Sequence, residues 1–373
     1  MKREAYPAVD IAKFVLAILV VAIHVKPFGG IAGFLYNNCV ARIADPLFFS
    51  ITAFFMFRKA FEQNLSWRSL GKYMLRIGLL YGCWILIYSP VILRRAVYVT
   101  GGGWPLIRYL LQEIFLSGPY GALWFLTALM LAIPLTFVIT KYLGPAAALF
   151  LSLPFYLFFV LELGYTDLVS GNFFFDRAAE AVANVFIFLW NGLTFGFFFC
   201  ALGMWIARRQ KQGQRESTVL GSVSAECLTG KTVPGKNASG GRWGDTSKGK
   251  AALACFIALV AESLLLYRFH LGMDYAAQFS LIPLTYFLLR WLLSLRFAER
   301  KIYRYLRKAS ILIFTIHYGV MELLLSLFSN AAWYTESTTV QYVFVLAVTL
   351  LLTAAILYVS ERVRGCGWLR VLY

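Results

Sequence analysis

The sequence predicts an all-α integral membrane protein with about ten transmembrane helices and both termini in the cytoplasm. Three observations carry this reading. Over 373 residues, 60% are hydrophobic, 17% aromatic and only 14% charged, and the mean hydropathy is +0.69, too apolar for an ordinary soluble domain. Apolar runs of about 20 residues, the length that crosses a bilayer as a helix, recur along the chain. The basic residues between those runs fall unevenly on alternate sides.

The runs lie at 8–27, 44–60, 73–93, 121–142, 145–163, 182–207, 251–269, 275–295, 309–328 and 338–361. The first follows Lys2 and Arg3 and superficially resembles a signal peptide. Asp10 and Lys13 inside it, and the lack of a small-x-small cleavage site before Pro27, favour an uncleaved helix. Pro134, Pro154 and Pro283 do not remove their spans, because neighbouring membrane helices satisfy the freed backbone groups. Residues 104–117, WPLIRYLLQEIFLS, are shorter and carry Arg108 and Glu113, which fits an interfacial amphipathic helix rather than a crossing. The chain reads as a single membrane-embedded domain, 1–373. Its one long polar break, 208–250, is rich in Gly, Ser, Lys and Thr and is expected to be a disordered cytoplasmic loop.

With these spans, one side receives twenty-six basic residues and the other seven, Lys26, Arg42, Arg94, Arg95, Arg108, Arg177 and Arg268. The positive-inside rule makes the richer side, and with it both termini, cytoplasmic. The localisation expected is the plasma membrane. The net charge of +17 thus reports topology. Nucleic-acid binding would need basic residues gathered on a soluble surface, so no nucleic-acid partner is expected. The six cysteines are scattered without CxxC spacing, which predicts neither a disulfide framework nor a metal site. Gly230-Lys231-Thr232 looks like the end of a phosphate-binding loop, but Ala225 stands where the required earlier glycine would be. Gly101-Gly102-Gly103 reads as a turn.

Asp10, Lys13 and His24 are the residues most out of place. At about 100° per residue, the steps from Lys13 to His24 return to nearly one helix face, with Asp10 about 40° away. A charge in hydrocarbon costs about 2.5–3.5 kcal/mol on insertion scales, so this stripe must face protein or a wet cavity. His24 lies about 16 Å of helix rise beyond Lys13, toward the outer face. There a neutral imidazole suits general-base work on a hydroxyl. Equally, it could be a core histidine bonded to a neighbouring helix, with Asp10 and Lys13 as an ion pair.

His317 falls near the middle of the ninth span with Glu322 five residues on, about 140° away around the helix, so the two require different partners. A catalytic role and a polar interhelical contact both suit His317. His270 sits at a membrane boundary, where an amphipathic ring needs no function. Trp124 and Phe125, near the outer end of the fourth span, fit an aromatic belt. Lys72 and Arg76, one turn apart at the cytoplasmic start of the third, can hold a phosphate group or serve as a positive-inside flank.

Together, several local patterns resemble the integral-membrane acyltransferase 3 family. VDIAKFVLAILVVAIHV is similar to the family's first helix, with Lys13 at the position of an arginine and His24 at that of the proposed catalytic histidine. RIADPLFFSITAFFMF resembles its proline, double-aromatic and Ser-Gly pattern, at Pro46, Phe48, Phe49, Thr52 and Ala53. YMLRIGLLYGCWILIY, ALWFLTAL and ASILIFTIHYGV complete the series, which runs from residue 8 to about 320.

The resemblance implies a ten-helix core and transfer of an acyl group, commonly acetyl, from acetyl-CoA or another acyl-CoA on the cytoplasmic side. The acceptor it implies is a hydroxyl of a cell-surface carbohydrate or lipid-linked molecule. No cofactor is expected to be permanently bound. His24 would be general base or transient acyl carrier, and Lys13, with Asp10 beside it, would orient the thioester or neutralise charge. From position and charge rather than from the resemblance, Trp124, with His317 and Glu322, is expected to shape the acceptor cavity, and Lys72 with Arg76 to hold the donor's phosphates.

Three positions depart from the pattern: Lys13, which lacks an arginine's fork; Tyr73, where the family often has an arginine; and Thr52-Ala53 in place of Ser-Gly. The second span also resembles the membrane domain of vancomycin-resistance serine racemases, which makes a serine or small-solute transporter the main alternative. A chain ending at Tyr373 is expected to have no room for the racemase domain itself. A non-catalytic polysaccharide-assembly protein is the third reading.

Overall fold

The computed structural model describes residues 6–227 and 245–373, with the side chains of 214–227 outside the described set; Lys2, Arg3 and Gly230-Lys231-Thr232 therefore lie outside the described residues. Every regular element among the described residues is helical. We number the principal helices α1 (Pro7–Val25), α2 (Ala44–Glu62), α3 (Trp67–Thr100), α4 (Gly103–Gln112), α5 (Trp124–Tyr142), α6 (Pro145–Gly164), α7 (Phe173–Phe186), α8 (Phe197–Cys227), α9 (Thr246–Phe269), α10 (Leu281–Ser294), α11 (Lys301–Leu327) and α12 (Thr338–Arg362).

Among the described residues, eight helical segments are long and apolar enough to cross a membrane: α1, Gly30–Glu62, α3, Gly121–Tyr142, α6, α9, α11 and α12. Two of the ten expected spans differ. The run 182–207 is not one helix: α7 stops at Phe186, Ile187 turns the backbone to a φ of 63°, and a π-helical turn at Gly192–Gly196 leads into α8. A β-branched residue with positive φ is rare, and it marks where apolar periodicity masks a break. The run 275–295 shortens to α10, of 14 residues.

Residues 276–280 are diverted because Glu262 of α9 receives the backbone N–H groups of Phe279 and Ser280 at 2.7 and 2.8 Å and the Tyr165 hydroxyl at 2.8 Å. A carboxylate at a helix start satisfies the orphan N–H groups there. The polar break differs from a loop beginning at Arg208: α8 stays helical to Cys227 and α9 begins at Thr246. The expected interfacial segment is present as α4 followed by a π-helical turn, Glu113–Ser117.

Burial sorts the helices into an inner set and a rim. The apolar window of Gly30–Glu62 is 72% buried and that of Gly121–Tyr142 61%, against 22% for α3, α9 and α12, whose exposed apolar faces are suited to lipid. The centre is aromatic: Phe49, Phe54, Phe57, Phe137, Tyr156, Phe159, Phe195 and Phe199 are fully buried. α2 and α8 approach most closely where Gly203 meets the backbone of Ser50, whose hydroxyl donates to the Phe199 carbonyl at 2.9 Å. A methyl group at Gly203 would overlap the Ser50 carbonyl oxygen, so only glycine permits this crossing, the small-residue logic of membrane helix packing. Gly203→Ala is expected to force the two helices apart at a cost of about 1–3 kcal/mol, visible as a lower midpoint of thermal unfolding in detergent; an unchanged midpoint would contradict this account of the crossing.

Candidate functional site

Two clusters of polar side chains sit at opposite ends of α1, and α11 packs along it and supplies partners to both. At the N-terminal end, Asp10 pairs with Arg307 of α11 at 3.4 Å, and the Lys13 ammonium lies over the Phe55 ring at 5.2 Å from its centre. Lys13 lies in the field of Asp10, Arg307 and Arg76 of α3. The expected stripe is real, but the ion pair of Asp10 is made with Arg307 rather than Lys13. Arg76 and Lys72, one turn apart on α3, are both exposed, and of the two Arg76 is the one whose charge reaches Lys13.

At the other end, α1 terminates at Lys26, which takes the left-handed conformation at φ 53° and returns its N–H to the Ala22 carbonyl. His24, in the last turn, meets His317 of α11 with ring centres 5.2 Å apart and planes inclined by 36°. The Tyr318 ring stands edge-on to His24 at 5.3 Å. His317 is fully buried, and its Nδ1 lies 3.0 Å from the Ile313 carbonyl oxygen. A carbonyl can only accept, so Nδ1 carries the proton and Nε2 presents a lone pair. That Nε2 is buried with no hydrogen-bond partner. A buried acceptor without a partner beside a second imidazole is uncommon in folded proteins.

His24 opens onto a cavity of about 270 Å³. Val20, Ile23 and Phe314 form its apolar wall; Lys26, Arg42, Asp45 and Trp124 complete it. Asp45, in the first turn of α2, is buried, and its carboxylate lies 3.5 Å from Arg42 one turn before it. The Arg42 guanidinium also stacks over the Trp190 ring at 4.7 Å. Trp190 in turn donates its indole N–H to Asp274 at 3.0 Å. Trp124 is held between Phe49 and Trp190, each 6.0 Å away.

The GPYGALW segment seats this wall through two glycines. Gly118, at φ 87°, lies against the backbone of Trp124, and Gly121, at φ 36°, against the Tyr318 ring, with no room for a Cβ at either. Glu322 faces a different direction from His317, as the 140° offset requires, and accepts the Tyr120 hydroxyl at 2.5 Å. Tyr120 packs on Tyr88 and Tyr318, at 4.4 and 5.0 Å between ring centres. Glu322 therefore braces the tyrosines behind His24 and is not among the cavity-lining residues. His270 ends α9, exposed and away from this cavity.

Of the residues expected from sequence, His24, Trp124 and His317 converge at one end of α1, Lys13, Asp10 and Arg76 at the other, and Lys72 and Glu322 stand outside both. Sequence reasoning passed over Lys26, Arg42, Asp45, Trp190 and Arg307. Asp45 was detectable, since it is a carboxylate inside the apolar RIADPLFF run with Arg42 three residues before it, the spacing that pairs charges on a helix.

A bundle of apolar helices enclosing polar residues at two depths defines a multi-pass membrane protein with an internal site. A profile of the acyltransferase 3 family, described as an acyltransferase domain, matches residues 6–358. The chain belongs to this family. It is also similar to two amino-acid racemases of Enterococcus faecalis. One is 24% identical over 236 residues, covering 62% of this chain and 32% of the racemase. The other is 31% identical over 150 residues, covering 39% and 21%. The chain thus spans about a third or less of the length of these relatives. No solved structure matches.

The Arg42–Asp45 pair is predicted to be a structural liability if broken singly. Asp45→Leu should lower stability by about 1–3 kcal/mol by leaving the half-buried Arg42 guanidinium without its carboxylate partner. Arg42→Leu with Asp45→Leu should recover most of that loss. Thermal unfolding of the two variants measures this; a double variant no more stable than the single would contradict it.

Proposed function

We propose that this membrane acyltransferase moves an acyl group, acetyl foremost, from a cytoplasmic thioester such as acetyl-CoA to a hydroxyl of a cell-surface carbohydrate or lipid-linked acceptor at the plasma membrane. In this reading the chain crosses the bilayer ten times with both termini cytoplasmic; the apolar first part of α8, before Arg208, and the 14-residue α10 provide the two remaining crossings. The observation that carries the proposal is the juxtaposition of His24, which lines a cavity, with a fully buried His317 whose Nε2 has no partner.

His24 accepts the acceptor's hydroxyl proton as the oxygen attacks the thioester carbonyl, and the same proton passes to the departing thiolate. His317 stabilises the His24 imidazolium by accepting its N–H at the vacant Nε2. Trp124 provides a flat face for the acceptor. Lys13 and Arg76, with Lys72 at the surface, attract the anionic part of the donor. The donor's extended thioester arm then has to span the interval from Lys13 to His24, about 16 Å of helix rise.

A second reading, a transporter-like module for serine or another small solute, is favoured by the similarity to amino-acid racemases across 62% of this chain. Accumulation of labelled serine in proteoliposomes without acyl transfer would select it.

His24→Ala should reduce thioester-dependent transfer by about 10²–10⁴-fold, the usual contribution of a general base, with the protein still folded by circular dichroism. His317→Ala should give a smaller loss, mainly in kcat. Unchanged transfer in His24→Ala would overturn the assignment. Lys13→Ala should raise the donor KM more than it lowers kcat, and Lys13→Arg should restore binding by supplying a planar fork; a donor KM indifferent to both would remove Lys13 from the donor site.

A further inference from the structure

We propose that the cavity beside His24 selects an anionic polyol, with a carboxylate or phosphate of the ligand engaging Arg42 and Lys26 while a hydroxyl lies against His24. Which hydroxyl reacts rests on the acyl-transfer reading above; the anion site itself does not.

The argument begins with charge. The ionisable lining residues are His24, Lys26, Arg42 and Asp45. With His24 neutral, Asp45 offsets only one of two cations, so the cavity carries a net positive charge within apolar walls. Arg42 is also incompletely used. Its contact with Asp45, at 3.5 Å, is longer than the 2.7–2.9 Å of a charge-assisted hydrogen bond, and its Nε is buried without a hydrogen-bond partner. Stacking on Trp190 engages the face of the guanidinium and leaves its in-plane donors available.

A neutral ligand that merely displaced water here would leave those donors unsatisfied, at a free-energy cost, whereas a carboxylate or phosphate matches the fork. Lys26 adds the second cation at the rim, its side chain exposed and its backbone held by the capping turn. Trp124 supplies a flat surface for a ring, and about 270 Å³, at the lower end of small-molecule sites, suits one sugar-sized unit. A uronate-bearing sugar, a phosphorylated polyol and a glycerophosphate headgroup share this chemistry.

The test uses the full-length protein in nanodiscs of zwitterionic phosphatidylcholine, titrated calorimetrically with methyl glucuronoside and glycerol 1-phosphate against the neutral methyl glucoside and glycerol. The anions should bind at least about tenfold tighter than their neutral counterparts, equivalent to 1.4 kcal/mol. Arg42→Gln and Lys26→Asn should each erase that preference. Lys26→Asn guards against misfolding, since Lys26 is exposed and asparagine tolerates its left-handed backbone. Equal binding of anions and neutrals by the wild type, or a preference that survives both substitutions, would overturn the proposal.

Adding phosphatidylglycerol to the nanodiscs separates two sources of the anion. Displacement of the glucuronoside would mark a lipid headgroup as the ligand, and unchanged binding a saccharide or soluble polyol. Selective anion binding without acetyl transfer to methyl glucuronoside would uphold the site and remove the acyl-transfer reading. Transfer to the neutral glucoside at the same kcat/KM would do the reverse.

Discussion

The packing of α1 against α11 is the constraint on which the rest of the structure depends. α1 carries Asp10, Lys13 and His24 through an otherwise apolar segment, and none of these can face lipid cheaply. α11 answers at both ends, with Arg307 opposite Asp10 and His317 opposite His24. Between those ties the helix buries Leu16, Ala17, Val20 and Val21. Two polar contacts separated by an apolar interval fix both rotation and register of the pair, because rotating either helix would put an ionisable group into hydrocarbon. The other helices enclose this pair.

The aromatic packing then transmits that register to the cavity. Phe314 of α11 touches both Phe48 and Phe125, at 5.7 and 5.1 Å between ring centres. Phe49 carries the contact on to Trp124 and Phe195. Edge-to-face ring pairs prefer a defined geometry and contribute about 0.5–1.5 kcal/mol beyond their buried area. The wall opposite His24 is therefore positioned by residues on α2, α5 and α11 at once. The π-helical turns at Tyr36–Val40 and Gly192–Gly196 lie in the segments that bring Arg42 and Trp190 to this wall. Local π geometry inserts a residue into the helical repeat and re-aims the neighbouring side chains, a device common at functional sites.

The sequence revealed the membrane class, most span positions and the two-ended polarity of α1, because hydropathy and helical angle are local properties. It also separated His317 from Glu322 correctly, since 140° of offset survives any packing arrangement. Two features were invisible for physical reasons. The break at Ile187 has no glycine or proline at the turning residue itself, whose φ is 63°; the Asn191-Gly192 pair that signals a turn comes only four residues later. The convergence of Arg42, Trp190 and Asp274 joins three segments remote in sequence, and pattern reading within one helix cannot find it. The shortened α10 has the same origin, as Glu262 reaches across from α9 to cap a turn that composition alone reads as continuous helix.

The two polar clusters also divide the chemical work that acyl transfer would require. A phosphorylated donor is strongly anionic at one end and neutral at its thioester, so cations belong where Lys13, Arg76 and Arg307 lie, and an uncharged base belongs where the carbonyl arrives. Between them α1 buries Leu16, Ala17, Val20 and Val21, so the interval is packed with apolar side chains and offers no hydrogen bonds to water. Under the proposed reaction a thioester arm would have to part these side chains to reach His24, and the dryness of the interval would limit hydrolysis at the reacting carbon. In the same reaction the proton released by the acceptor would be held by His24 until the thiolate takes it, and His317, its ring centre 5.2 Å from that of His24 and its Nε2 unpartnered, would steady that charge.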